Sequence, residues 1–450
     1  MEWWLEFLPL QKLDGANIQI TYRQQHRAVA TSSSAPDTNR EELVMLVRRR
    51  LSRILFGGRF FPYPVSLNVE TVRGLGLWAT LSIVLSYLYS GLFPVRPEKT
   101  LEDFFINRFG RRLYATFFRA YTEKVWGVPC SEISAEWGAQ RVKGLSLYEA
   151  FVSICKSAIR RKPPDISQKH KQTSLIETFL YPKLGPGQLW DEVAAQVKAK
   201  GGTIHTGWRV DRIEHENANR ITAICATNLD AGERRRFAGD FFFSTMPIKE
   251  LIAGFEPGVP PNVCRVANGL MYRNFIIVGL LCRRLIKQLN DTWIYIQDPA
   301  VQVGRLQVFN NWSPYMVADP DTVWLGLEYF CDETDDLWKM QDSELIELAK
   351  TELCKLRFVE PENLIGGTVV RAPKAYPAYF GTYNKFAEIR GFTDQFENLF
   401  LIGRNGMHRY NNQDHSMLTA MLAVDQIINN VSGRDALWAL NSEPDYQEEK

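Results

Sequence analysis

Near its C-terminus the chain runs Asn398-Leu399-Phe400-Leu401-Ile402-Gly403-Arg404, and no other stretch constrains the fold as tightly. Four apolar residues between an asparagine and a glycine read as a short buried strand. The glycine lets backbone amides approach a phosphate with no side chain in the way. The guanidinium that follows can pair with a pyrophosphate through two parallel bonds. A polar run, Asn411-Asn412-Gln413-Asp414, then leads into a helical pattern over Ser416–Ile427. That helix start presents unpaired N–H groups and partial positive charge. Packing alone would account for the apolar residues, but not for Gly-Arg followed by four amide or acid side chains.

The rest of the composition narrows the setting. With 45% hydrophobic and 12% aromatic residues in 450, the chain can bury a large core in two domains. Its 53 basic and 51 acidic residues leave a net charge of +2, and the basic runs Arg48–Arg50 and Arg234–Arg236 are short, so no nucleic-acid partner is expected. Seven cysteines without a Cys-x-x-Cys pair indicate neither a disulfide framework nor a metal site, which fits a reducing cytoplasm. Glu2 stands where a secretory leader would be basic, so no leader is expected.

Gly74–Val95 carries no charge and reaches the length of a bilayer span. Ser82, Ser86 and Ser90 share one helical face beside Leu81, Leu85 and Leu88, which suits helix packing in either medium. A buried or amphipathic domain helix is the favoured reading. Gly74-Leu75-Gly76-Leu77-Trp78-Ala79 has the spacing of a dinucleotide fingerprint, but the charged residues of Val69–Arg73 do not form the apolar strand it requires.

Residues 31–40 read as a loop, and Leu43, Leu46, Val47 and Leu51 mark a helix from Glu41. Helical content is expected to about Ile159, followed by an exposed polar stretch at Arg160–Thr173. Gly185-Pro186-Gly187 then turns into a helix Leu189–Ala199, and strand-like Thr203–His205 and Arg209–Glu214 follow. Asp240–Thr245 reads as a further strand, and Phe275–Leu281 and Val323–Tyr329 predict an antiparallel sheet.

Gly403-Arg404-Asn405-Gly406, Tyr410 and Asp414 resemble the closing flavin motif of the amine oxidase and UDP-galactopyranose mutase-like superfamily of FAD oxidoreductases. Tyr121–Gly127 resembles the substrate-side motif of the mutases, Gly187 through Val210 a second flavin-binding segment, and Thr245-Met246-Pro247 a strand end that lies against the dinucleotide. The resemblance implies an α/β (α+β) Rossmann-like flavoprotein fold that binds FAD, with a mixed helical and antiparallel-sheet substrate domain. By it Gly403, Arg404 and Asp414 hold the pyrophosphate and ribityl chain, Gln413 lies near the isoalloxazine, and Asn412 is a further cofactor-binding residue. Tyr121, Trp126, Arg141 and Tyr410 then line the substrate cavity, with Tyr376 and Tyr379 weaker candidates. Tyr121 and Trp126 read equally well as core aromatics. His408 and His415 read as hydrogen-bonding spacers rather than general bases.

The superfamily's opening strand and Gly-x-Gly-x-x-Gly turn have no counterpart here, so the expectation is an incomplete, N-terminally truncated cofactor half. The implied segments are 1–40 (a remnant and loop), 41–173 (helical cap), 174–250 (second FAD segment), 251–395 (substrate sheet), 396–430 (C-terminal FAD segment) and a tail at 431–450. The expected activity is FAD-dependent oxidation of a small molecule such as an amine. Two alternatives stay open: mutase chemistry on a nucleotide sugar, and a silent, cofactor-free homologue. Asn412 and His408 stand where the mutases carry an acid and an aromatic, which weighs against the first.

Overall fold

The computed structural model describes residues 2–12, 18–22, 25–29, 36–63, 65, 69–135, 138, 178–216 and 219–440. Its largest element is a seven-stranded sheet. The strands run in the order Leu364–Gly381, Leu270–Cys282, Val323–Cys331, Arg305–Val308, Trp293–Ile296, Ser52–Phe56 and Arg59–Pro62. Neighbours are antiparallel except Trp293–Ile296 with Ser52–Phe56. Side chains alternate between the two faces of a strand, and these sequences separate accordingly. Ile294, Leu306, Leu327 and Tyr329 join a core with Leu345, Ala349 and Leu353 of the helix Asp342–Lys355. Tyr295, Arg305 and Glu328 are paired across three strands in one row, so they stand together on the opposite face.

A second, four-stranded sheet has the order Phe255–Glu256, Trp208–Glu216, Arg220–Asn228, Arg234–Ala238. Beside it Phe242–Ser244 pairs in parallel with Leu399–Leu401, residues far apart in the chain. Asn398 joins these two sheets. Its Nδ2 donates to the carbonyls of Ile221 (2.8 Å) and Asp240 (3.0 Å), and its Oδ1 accepts from Ile221 N–H at 2.9 Å. The buried strand read at Leu399–Leu401 and the helix, here Gln413–Ile428, are both present.

The helix expected from Glu41 is instead two strands, Met45–Arg49 and Ser52–Phe56. Leu43 and Leu51, on the supposed buried face, are exposed, while Met45, outside the pattern, is buried. Met45–Arg49 pairs with Thr178–Pro182, and this long-range pairing overrides an ambiguous local period. Thr203–His205 is exposed and irregular rather than a strand, with no strand pairing among the described residues. The helices Val69–Leu75, Leu77–Leu92, Leu101–Leu113 and Arg119–Trp126 follow as read. Of the Gly74–Ala79 glycines, Gly74 therefore lies within the first of these helices and Gly76 at the junction with the second, and no strand directly precedes them as a dinucleotide turn requires. Among the described residues no helix is long and apolar enough to cross a membrane. Arg160–Thr173 lies outside the described residues.

Candidate functional site

The parallel pair of strands builds one side of the site. Ile402 N–H donates to Ser244 O at 3.0 Å, carrying the ladder one step past the strand ends. Gly403 then turns the chain at φ 72°, a left-handed conformation that glycine adopts without strain, and its N–H donates to Thr419 Oγ1 at 3.0 Å. A Cβ on Gly406 would stand 2.3 Å from Ser244 O and 3.1 Å from Thr245 Cα, so this turn rests directly on the end of the neighbouring strand. Thr245 and Gly403 are thereby brought together, with Met246 and Pro247 leading into the helix Ile248–Ala253.

Three buried polar atoms belong to the segments that meet at this turn and have no protein partner: Ser244 Oγ, Asn405 Oδ1 and Asp414 Oδ2. Asp414 lies in the first turn of the helix Gln413–Ile428, with Asn412 as its N-cap residue and Gln413 exposed. Burial pushes the Asp414 carboxyl up, but contact with His415 at 3.2 Å and the backbone N–H groups of the helix start outweigh it. The group stays below the usual carboxylate range. A carboxylate only accepts hydrogen bonds, so Asp414 Oδ2 suits a hydroxyl or N–H rather than a phosphate oxygen.

Arg404 links this side to the aromatic side. Its Nε donates to Asn411 O at 3.1 Å, Nη2 to the same oxygen at 2.5 Å, and Nη1 to Ala375 O at 3.0 Å. Three of its five N–H groups are thus engaged by backbone carbonyls. The guanidinium also lies 4.6 Å from the Tyr410 ring and 5.5 Å from the Tyr376 ring. Those two rings stack at 5.4 Å and 13°. Tyr410 N–H donates to Tyr379 Oη at 2.6 Å.

Tyr376 Oη accepts from Arg305 Nη2 at 2.9 Å, and Arg305 Nε contacts the Glu328 carboxylate, which also accepts from Gln307. Glu328 is 1% exposed. Burial pushes its carboxyl above the usual range, against the pull of Arg305 and Gln307. Tyr295 stands beside Arg305 on the next strand and meets Tyr121 edge-on at 5.5 Å. Tyr121, Tyr376 and Tyr410 therefore belong to one connected layer. Arg305, Glu328 and Tyr295, which sequence reasoning missed, tie it together.

The other expected residues stand elsewhere. Trp126 is 4% exposed inside the helical core, edge-on to Phe380. Gly187 is the exposed first residue of the helix Gly187–Ala199, and Val210 pairs with Ala226 in the four-stranded sheet. The helix Glu2–Phe7 connects that region to Gln413–Ile428. Trp3 packs on Trp190, and Trp4 Nε1 donates to Met417 Sδ at 3.2 Å. Arg141 lies outside the described residues.

His408 is packed as a wedge between aromatic rings. It is fully buried, its Nε2 lies 3.1 Å from Ala378 O, and its ring meets Tyr272 edge-on at 4.7 Å. Burial pushes its pKa from the ordinary 6.5 down to about 4, so it is neutral at pH 7. Because the unfolded chain takes up this proton first, stability is complete above pH 6.5 and falls as pH drops towards 4. The fall attributable to His408 is roughly 3 kcal/mol. Urea midpoints across this range for the native and His408→Gln proteins check it: the variant, less stable at pH 7, should lose the step. Parallel curves for the two proteins would refute the assignment.

Residues 89–408, more than half of the chain, match the family described as flavin containing amine oxidoreductase. Among solved structures, a reduced UDP-galactopyranose mutase aligns with a TM-score of 0.71 at 22% identity, covering 90% of this chain and 83% of its own. An oxidoreductase from Methanosarcina mazei aligns at 0.53 and 13% identity, covering 85% and 82%. A redesigned putrescine oxidase aligns at 0.52 and 11%, covering 94% and 93%. At such identities the likeness is one of fold.

Proposed function

The chain belongs to the flavin-containing amine oxidoreductases, and from that premise we propose that its interior divides into a cofactor side and a substrate side. It is an FAD-dependent oxidoreductase. The observation that carries the division is the set of orphaned buried oxygens, Ser244 Oγ, Asn405 Oδ1 and Asp414 Oδ2, at the carboxyl ends of two parallel strands. Ligands of α/β sheets bind at strand ends of this kind.

On this reading Gly403 gives the dinucleotide close access to the backbone, and Thr245, Met246 and Pro247 lie along it. Asp414 accepts from a ribityl hydroxyl. Arg404 offers the pyrophosphate the N–H groups that the carbonyls do not engage. Asn412 and Gln413, at the positively polarised helix start, lie towards the isoalloxazine, and Gly187 and Val210 lie towards the adenosine. When bound, the flavin supplies the hydride acceptor. Losing one hydrogen bond to a charged acceptor costs about 1.5–3 kcal/mol. Asp414→Asn should therefore weaken FAD binding by at least about tenfold, read by quenching of FAD fluorescence on titration. An unchanged affinity would remove Asp414 from the cofactor site.

Tyr121, Tyr376 and Tyr410 wall the substrate side. Arg305 is offset by Glu328, so the cation left against the layer is Arg404, which this reading gives to the cofactor, while the aromatic faces attract a cationic or neutral amine. We therefore place a small amine there, ahead of a nucleotide sugar. Protein loaded with FAD and mixed anaerobically with a panel of primary amines should lose flavin absorbance. If no amine bleaches it and the dithionite-reduced protein instead converts UDP-galactofuranose to UDP-galactopyranose, the amine reading fails.

A further inference from the structure

The helix Leu77–Leu92 carries no charged residue, and its outward face is apolar. Leu77, Trp78, Leu81, Leu85, Leu88 and Leu92 recur at spacings that place them along one side, with exposures from 49% at Leu81 to 84% at Trp78. The Tyr89 and Phe93 rings, 5.1 Å apart and also exposed, widen this stripe. Scattered surface leucines need no explanation, but a continuous apolar face of this kind marks an interaction site.

The opposite side of the helix is fixed. Gly110, at φ 79°, lets the helix Leu101–Leu113 cross so closely that a Cβ there would lie 2.7 Å from Tyr87 N. One step on, Arg112 N–H donates to Ser86 Oγ at 3.1 Å. The crossing sets Arg111 and Arg112, both exposed, on the Ser86 side of the helix, at the flank of the apolar face. A cavity of about 480 Å³ opens alongside, lined by Arg59 and Arg112 together with Ala79, Ser82 and Ile83 of the apolar helix.

Among the described residues, Arg59, Arg111 and Arg112 have no carboxylate at ion-pair distance. Glu98 pairs with Arg108 at 2.9 Å, and Asp103 caps its own helix through Thr100.

We propose that this face docks on a bilayer containing anionic phospholipid. The helix Leu77–Leu92 lies in the plane of the interface, and the Arg59–Arg112 cavity seats a headgroup phosphate. The helix is about 24 Å long, shorter than a bilayer's hydrocarbon core, and none among the described residues can cross a membrane, so an in-plane position is the one its length allows. Trp78 and Tyr89 are side chains suited to the headgroup level. A two-fold contact with a second copy would bring the same arginines of both copies to one seam, whereas an anionic surface complements them.

Flotation of the purified full chain with phosphatidylcholine vesicles, with and without phosphatidylglycerol, tests this. The protein should float only with the anionic vesicles. Leu85→Asp combined with Leu88→Asp should abolish flotation with the circular dichroism spectrum unchanged. Arg111→Gln combined with Arg112→Gln should weaken it roughly thirtyfold, at about 1 kcal/mol per charge removed. No flotation, equal flotation on phosphatidylcholine alone, or flotation indifferent to the aspartates overturns the proposal. So does a dimer, seen by sedimentation equilibrium without vesicle binding, that the aspartates dissolve.

Discussion

Glu328→Ala is expected to lower the free energy of unfolding by about 3–5 kcal/mol, because it leaves the Arg305 guanidinium uncompensated in a dry interior. Arg305 lies between the Trp293 and Phe330 rings, 4.8 Å from each, and these faces offset only part of its lost hydration. Gln307 loses its acceptor as well. The change also reaches the substrate side, since Arg305 bonds Tyr376 and Tyr376 stacks on Tyr410.

Urea denaturation measures the first effect. Replacing both partners, Arg305→Met with Glu328→Leu, separates the missing charge from the missing packing. The double variant should recover much of the loss, because no ion is then buried, while Tyr376 still lacks its donor. A loss below about 1 kcal/mol in Glu328→Ala would mean that water reaches Arg305, and the closed aromatic layer would have to be abandoned.

The parts legible in the sequence are those whose signal is local. Leu399–Leu401 announces a buried strand by composition alone, and Gly403-Arg404 announces a turn with a purpose. Phe275–Leu281 and Val323–Tyr329 carry the branched and aromatic residues of sheet strands, and both pair antiparallel. Met45–Arg49 was misread because its partner, Thr178–Pro182, lies far along the chain, and nothing local distinguishes a half-buried strand from a helical face there.

Arg305 and Glu328 were missed for a related reason. Each is the single charged residue of its strand, and only the cross-strand register makes them partners. Arg305-Leu306-Gln307-Val308 did hold a usable signal. Strict polar–apolar alternation beside a strand as hydrophobic as Leu325–Cys331 implies that its polar side faces the interior of a site rather than solvent. The engagement of Arg404 by Asn411 and Ala375 had no sequence signal, because backbone carbonyls are anonymous in a sequence.

Gly406→Ala should damage cofactor binding more than substitution at the more conspicuous Gly403. At Gly403 an added Cβ meets nothing closer than 3.7 Å, so alanine suffers only the strain of a left-handed backbone, about 1–2 kcal/mol. At Gly406 the Cβ would stand 2.3 Å from Ser244 O. That oxygen accepts from Ile402 N–H and cannot move aside as a flexible side chain would. The turn must therefore lift away from Ser244 and Thr245, carrying Gly403 and Asn405 with it. Overpacking of this kind costs about 1–3 kcal/mol of stability, but the larger effect falls on the site. A displacement of roughly 1 Å in a positioning element can cost about a hundredfold. FAD titrations of Gly406→Ala, Gly403→Ala and Gly391→Ala give the ordering, the last being a helix glycine with open space around it. Affinity should fall most in the first and not at all in the last. If Gly406→Ala binds FAD as tightly as Gly391→Ala, the contact between the turn and the strand end does not position the cofactor.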